Sequence, residues 1–175
     1  MFLIFSLLWP LNSEPEPGDP YIIINKQTNH LVYIEDGEIG NPYPVGTGKK
    51  QDMTPEGEFT VVVKAVRPYY RKLNIAGGDP KNPLGSRWIG FDADETNGRI
   101  YGIHGTNRPE SIGHYVSQGC VRMRNEEVDE LFERVKEGTK VLIVNENKSF
   151  AALAAERHLI PSEKPYYLEE DLGHL

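Results

Sequence analysis

The chain carries a single cysteine, Cys120, within the run Ser117-Gln118-Gly119-Cys120-Val121-Arg122-Met123. A histidine, His104, lies sixteen positions upstream and is followed at once by Gly105 and Thr106. A lone thiol and a distant imidazole are the ingredients of nucleophilic catalysis, because nucleophile and base must meet in space rather than in sequence. Gly119 lets the backbone beside the cysteine turn sharply and take φ angles closed to other residues. The competing reading is a buried, inert cysteine, the commoner fate of a lone thiol.

A free thiol titrates near pH 8.5 and is only a few per cent thiolate at neutral pH. If His104 lowered that value to about 6, the thiolate fraction would rise about thirty-fold. Intrinsic nucleophilicity would fall about ten-fold along a Brønsted slope of ~0.45, so ionisation alone accounts for little. His104 must therefore also protonate a departing amine, a contribution of ~10²–10⁴. The remainder has to come from backbone N–H groups aimed at an oxyanion, expected around Gly119 and Cys120. Arg122 has two readings: steadying a thiolate, an oxyanion or a substrate carboxylate, or forming an ion pair under the loop. Ser117 is expected to hold the turn through its hydroxyl, and His114 to be a loop residue. His104, His114 and Cys120 offer zinc-ligand types. They are only three, without Cys-x-x-Cys or His-x-x-x-His spacing, so no metal is expected.

These strings resemble the active-site signature of the L,D-transpeptidase catalytic domain of the YkuD type. That family commonly carries Ser-His-Gly-Cys, and here Gln118 stands at the second position. Thr54-Pro55-Glu56-Gly57-Glu58-Phe59 is similar to its Thr-Pro-x-Gly-x-Phe element, and Gly85 to Trp88 to its Gly-x-x-Trp stretch. The resemblance implies Cys120 as nucleophile, His104 as base, and the Gly105 carbonyl in the orienting role a carboxylate plays elsewhere. It implies Arg122, Ser117 and Thr106 on the substrate side. It implies a peptidoglycan stem tetrapeptide as partner and no cofactor: D-Ala leaves, a thioester forms, and an amine of a neighbouring stem resolves it into a cross-link. Two alternatives stand beside it. Water as acceptor would make an L,D-carboxypeptidase, and an unreactive site would make a wall-binding module. A monomer is expected.

These groups need a scaffold, and 175 residues suffice for one domain with a real core. A formal net charge of −7 excludes the basic face of a nucleic-acid-binding protein. Residues 1–19 read as an apolar export signal or short anchor with a Pro-rich linker, so the protein is expected outside the cytoplasm. Residues 20–145 read as the catalytic domain, and 146–175 as a helix with an acidic tail. The expected class is mostly β (α+β): a single mixed sheet or sandwich-like domain, one principal helix packed on it, and a C-terminal helical extension. Strands are expected at 21–25, 31–35, 38–45, 59–66, 85–91, 99–103 and 139–144. The 38–45 strand is marked as irregular by Pro42 and Pro44. Asn125 should cap the principal helix and Gly138 end it. Ser149 should cap a last helix through Leu159. Residues 67–84, without period, read as a long binding loop or lid. Trp88 is expected in the core. Met53 and Thr54 are candidates for the cleft.

Overall fold

The computed structural model of the chain describes residues 14–161. Most of the leader read over 1–19, and the acidic tail from 162 on, lie outside those residues.

β1 (Tyr21–Asn25) and β2 (His30–Glu35) pair antiparallel. β3 (Glu38–Ile39) and β4 (Tyr43–Pro44) both return to β2. The strand expected over 38–45 is thus broken in two, because the prolines lack the N–H that a continuous ladder requires. β5 (Thr47–Gly48) is short and β6 (Gly57–Val66) long. β7 (Arg87–Phe91), β8 (Tyr101–His104), β9 (Tyr115–Ser117) and β10 (Val121–Arg122) precede helix α1 (Asn125–Arg134). β11 (Lys140–Val144) and α2 (Phe150–Glu156) complete the described chain. Among the described residues nine strands form one sheet, ordered β10-β8-β7-β6-β11-β1-β2-β3 with β4 beside β2, while β5 and β9 form a separate pair. β11 runs parallel to β1, and β10 parallel to β8, so the sheet is mixed as expected.

Tyr21 to Ile24 and Val141 to Val144 are apolar without alternation because both sheet faces are covered there. Ile22, Ile24, Val141 and Ile143 meet Val128, Leu131 and Val135 from the α1 side. Tyr21, Ile23, Leu142 and Val144 meet Leu153, Ala154 and Leu159 from the α2 side. β7 and β8 continue the first core through Ile89, Phe91 and Ile103. A register shift between Val61 and Val63 places Val63 and Ala65 on the other face, opposite Gly90 and Trp88. The α2 cluster draws on β1, β2, β3 and β11. That second face is therefore open over β6, β7 and β8, where residues of the 67–84 segment cover it.

Two helix ends differ from expectation. α1 stops at Arg134, short of Gly138, because the Lys64 ammonium takes the carbonyls of Phe132 and Val135 at 2.5 Å each. Gly138, with φ 95°, turns the chain into β11 instead. α2 starts on Ser149 as expected, with the hydroxyl accepting from Ala152 N at 3.1 Å. It ends at Glu156, and Leu159 folds back into the core.

Candidate active site

β8 and β10 lie side by side, with Arg122 in register with His104 and Val121 with Ile103. Cys120 precedes β10 by one residue and so stands beside Gly102. Side chains two apart on a strand share a face, so Cys120, Arg122 and His104 project to the same side. Met123 N donates to the His104 carbonyl at 2.8 Å and ties the two strand ends together.

His104 is buried, 4% exposed, and its Nδ1 meets the Gly105 carbonyl at 2.6 Å. A carbonyl only accepts, so Nδ1 holds the proton and Nε2 keeps its lone pair. Trp88 lies opposite on β7 and stacks on the imidazole, with centroids 5.6 Å apart and planes at 16°. Its indole N–H donates to the Gly98 carbonyl at 2.8 Å, which fixes the ring. Gly102 makes room for it: a Cβ there would lie 2.7 Å from Trp88 Cζ2. Trp88 is buried as expected, but as the wall behind the imidazole, a role its sequence position does not reveal.

Cys120 is half-buried, and its thiol donates to the Ile100 carbonyl at 3.3 Å. Burial pushes the thiol up to about 11, against the opposing pull of the Gly102 backbone and the Arg122 charge. Burial likewise brings His104 down to about 4, with the backbone of Gly105 and Leu84 opposing and Arg122 reinforcing. The resting pair at neutral pH is therefore a thiol and a neutral imidazole. This corrects the premise of a thiol lowered to about 6, because desolvation disfavours both charged forms.

The turn before the cysteine is tightly built. Gly119 has φ 134°, and a Cβ there would meet the Met53 carbonyl at 2.7 Å. Its N–H donates to Ser117 Oγ at 3.0 Å and is thereby withdrawn from the oxyanion role expected of it. The Cys120 N–H has no acceptor among the described residues and remains available. Ser117 is buried, its hydroxyl holding this turn. Thr106 is buried too, and its hydroxyl accepts from Arg108 N at 3.0 Å. Both hydroxyls thus position loops beside the site by accepting backbone N–H groups. Thr54 is also buried, accepting from Gly48 N at 2.9 Å, and His114 is exposed.

Asn125 departs from its expected role. It sits inside α1, and the cap residue Arg124 makes no side-chain cap bond. The Asn125 amide oxygen accepts from Ser86 N at 3.2 Å and Thr106 N at 3.1 Å, and its nitrogen donates to the Thr106 carbonyl at 3.1 Å. One amide thus fastens the loop after His104 to the strand bearing Trp88. Asn82 does the same for the 67–84 segment. It is buried, donates to the carbonyls of Pro68 at 2.8 Å and Ala76 at 3.1 Å, and accepts from Leu84 N at 2.9 Å.

That segment and the open sheet face border an open cleft of about 480 Å³, lined among others by Tyr69, Tyr70, Leu84, Trp88, Ile100 and Cys120. Lys72 donates to the side-chain oxygen of Gln118 at 3.2 Å, so the lid reaches the residue that departs from the family pattern. Arg122 is half-buried, its Nε sealed from water without a partner. No carboxylate among the described residues pairs with it, so the structural ion pair considered for it is not formed there. Among the described residues no three His, Cys, Asp or Glu side chains converge as a metal site.

Comparison with known proteins follows the same lines. A family model described as the L,D-transpeptidase catalytic domain (YkuD) matches residues 19–143. The chain is 55% identical over 169 residues to the Bacillus subtilis (strain 168) protein YqjB, named among the L,D-transpeptidases, covering 97% of this chain and 96% of that one. It is 38% identical over 138 residues to the similarly named YkuD of Bacillus licheniformis, covering 79% and 73%. Among solved structures, the NMR structure of the catalytic domain of an E. faecium L,D-transpeptidase matches with TM-score 0.56 and 28% identity, covering 74% of this chain and 99% of that one.

Proposed function

The chain belongs to the family of L,D-transpeptidase catalytic domains (YkuD type), and from that premise we propose that it cross-links peptidoglycan stems through a thioester on Cys120. The observation that carries this reading is the placement of Cys120, one residue before β10, on the same face as His104 at the end of the neighbouring parallel strand β8, with Cys120 lining a cavity and its thiol resting on the Ile100 carbonyl rather than on the imidazole. The donor is a stem tetrapeptide, and the attacked carbonyl belongs to its third residue. As Cys120 Sγ approaches that carbon, its proton passes to Nε2 of His104. Burial keeps both groups neutral beforehand, so the transfer accompanies attack rather than preceding it. The Gly105 carbonyl, already on Nδ1–H, stabilises the imidazolium that forms. Negative charge on the carbonyl oxygen is met by the Cys120 N–H. Collapse expels D-Ala, whose amine takes the proton from Nε2. An amine of a second stem then attacks the thioester, passes its proton to the imidazole and restores the thiol. We place this reaction outside the cytoplasmic membrane.

The test is incubation with a tetrapeptide, with and without a second stem. Release of D-Ala together with a new amide-linked dimer supports the reading. Release of D-Ala with tripeptide alone, even with acceptor in excess, replaces it with a carboxypeptidase. Turnover that survives in Cys120→Ala removes the proposed nucleophile.

A further inference from the structure

The protein is acidic overall, with formal net charge −7, yet the cleft that holds Cys120 is lined by Arg71, Lys72 and Arg99 and by no Asp or Glu. None of these three cations enters an ion pair among the described residues. Two of them stand close to the reacting sulfur. The Cys120 thiol donates to the Ile100 carbonyl at 3.3 Å, and Arg99 is the residue before Ile100. From the 67–84 segment, the Lys72 ammonium donates at 3.2 Å to the side-chain oxygen of Gln118, two residues before Cys120. That acceptor is a neutral amide, so it satisfies a hydrogen bond and leaves the ammonium charge uncompensated. The remaining walls include Val63, Ala65, Leu84 and Trp88, which offer no counter-charge. Charge of one sign in a cleft with apolar walls draws the opposite sign into it. The cleft is thus suited to an anion beside Cys120.

The donor brings such an anion. When one residue follows the attacked carbonyl, the C-terminal carboxylate lies about 3.5 Å further along the chain. When two residues follow, an uncharged amide takes that place and the carboxylate moves out by the same distance again. Resting on the transpeptidase reading, we propose that Lys72 and Arg99 bind the C-terminal carboxylate of the leaving residue and so select donors that end one residue beyond the scissile bond. Lys72 then exchanges the neutral Gln118 amide for a carboxylate, a charge-assisted bond for a weaker one. Lys72 lies in the 67–84 segment and Arg99 in the turn before β8, so the same carboxylate bridges that segment to the sheet. Both residues are exposed, so replacing them leaves the core intact.

The experiment compares kcat/KM for a synthetic tetrapeptide, its C-terminal amide and the pentapeptide with one further residue. Amide and pentapeptide should fall by ~10- to 100-fold, the range for a lost hydrogen bond to a charged group. The double variant Lys72→Met, Arg99→Gln should lower the tetrapeptide by that factor and leave the amide unchanged, while Arg99→Lys alone keeps part of the preference. Added salt should slow the tetrapeptide and not the amide. Gln118→Ala removes the contact between the two loops without touching either cation, and should keep the preference for acid over amide. Equal rates for the tetrapeptide and either analogue in the wild type, or a preference that survives in the double variant, overturns the site. So does a double-variant effect equal on acid and amide, or a preference lost in Gln118→Ala. Absence of turnover and thioester on every peptide refutes the transpeptidase reading, and the proposal with it, so the two failures are told apart.

Discussion

The neutral resting pair makes a sharp prediction about the reactivity of Cys120. Its thiol is pushed up to about 11 from an ordinary value of 9.0 by burial. At pH 7 that leaves a thiolate fraction of ~10⁻⁴, against ~10⁻² for an unshifted thiol. The higher pKa makes each thiolate intrinsically more nucleophilic, by ~8-fold for a Brønsted slope of ~0.45. Alkylation by iodoacetamide at pH 7 should therefore run ~10-fold slower than for a free thiol. More tellingly, its logarithm should climb with unit slope, so the rate rises ~10³-fold between pH 6.5 and 9.5. The readout is intact mass, unambiguous because the chain has a single cysteine. Steric shielding would scale every point equally and leave the slope unchanged. A plateau reached below pH 8 would mean a preformed thiolate–imidazolium pair, and the concerted transfer proposed above would be refuted.

His104 →Gln should slow thioester formation by ~10²–10⁴. Its pH signature runs the other way from a salt-bridged histidine. The folded value, about 4, lies below the unfolded 6.5, so the unfolded chain binds the proton first and stability falls as pH drops from 6.5 towards 4. By pH 4.5 the wild type should lose about 2–3 kcal/mol on this account in urea titrations, and the Gln variant should lack that loss. For the same reason the acid limb of kcat/KM should lie near pH 4, because the neutral imidazole is the competent base; a limb near pH 6.5 contradicts this. Asn125→Ala leaves two backbone N–H groups and one carbonyl without their partner. It should cost about 2–4 kcal/mol in chemical denaturation and lower kcat, while an undiminished midpoint would show that the fastening is immaterial. Gly102→Val should displace Trp88 from the imidazole, quenching turnover with a changed tryptophan fluorescence; unaltered kinetics would remove the stacking from the mechanism.

Much of the architecture was legible because it follows local rules. The apolar runs at 21–25 and 139–144 and the Ser149 cap each declare themselves within a few residues. Cys120 and His104 stood out as candidates for a different reason, the rarity of a lone cysteine in a Gly-flanked motif. What stayed hidden depends on residues distant in the chain. Asn125 has the type and position of a helix cap, and only the approach of Ser86 and Thr106 recruits its amide. The Gly119 N–H looked free for an oxyanion until Ser117 folded beneath it. The protonation states of Cys120 and His104 were misjudged because motif spacing carries no information about desolvation, the largest influence on each. The α1 boundary moved because Lys64, from a strand far upstream, supplies the terminal carbonyls with a donor. Trp88 and Asn82 show the same limit: burial was readable for one, and the bonding role for neither.

The most direct measurement is the intact mass of the protein after brief incubation with a stem tetrapeptide. The expected result is an increase equal to the tripeptide acyl group, mapped to Cys120, lost on adding a second stem, and absent in Cys120→Ala. A wild-type protein that releases D-Ala while its mass never changes, or one whose adduct maps to any other residue, would contradict the sulfur-centred mechanism at its root.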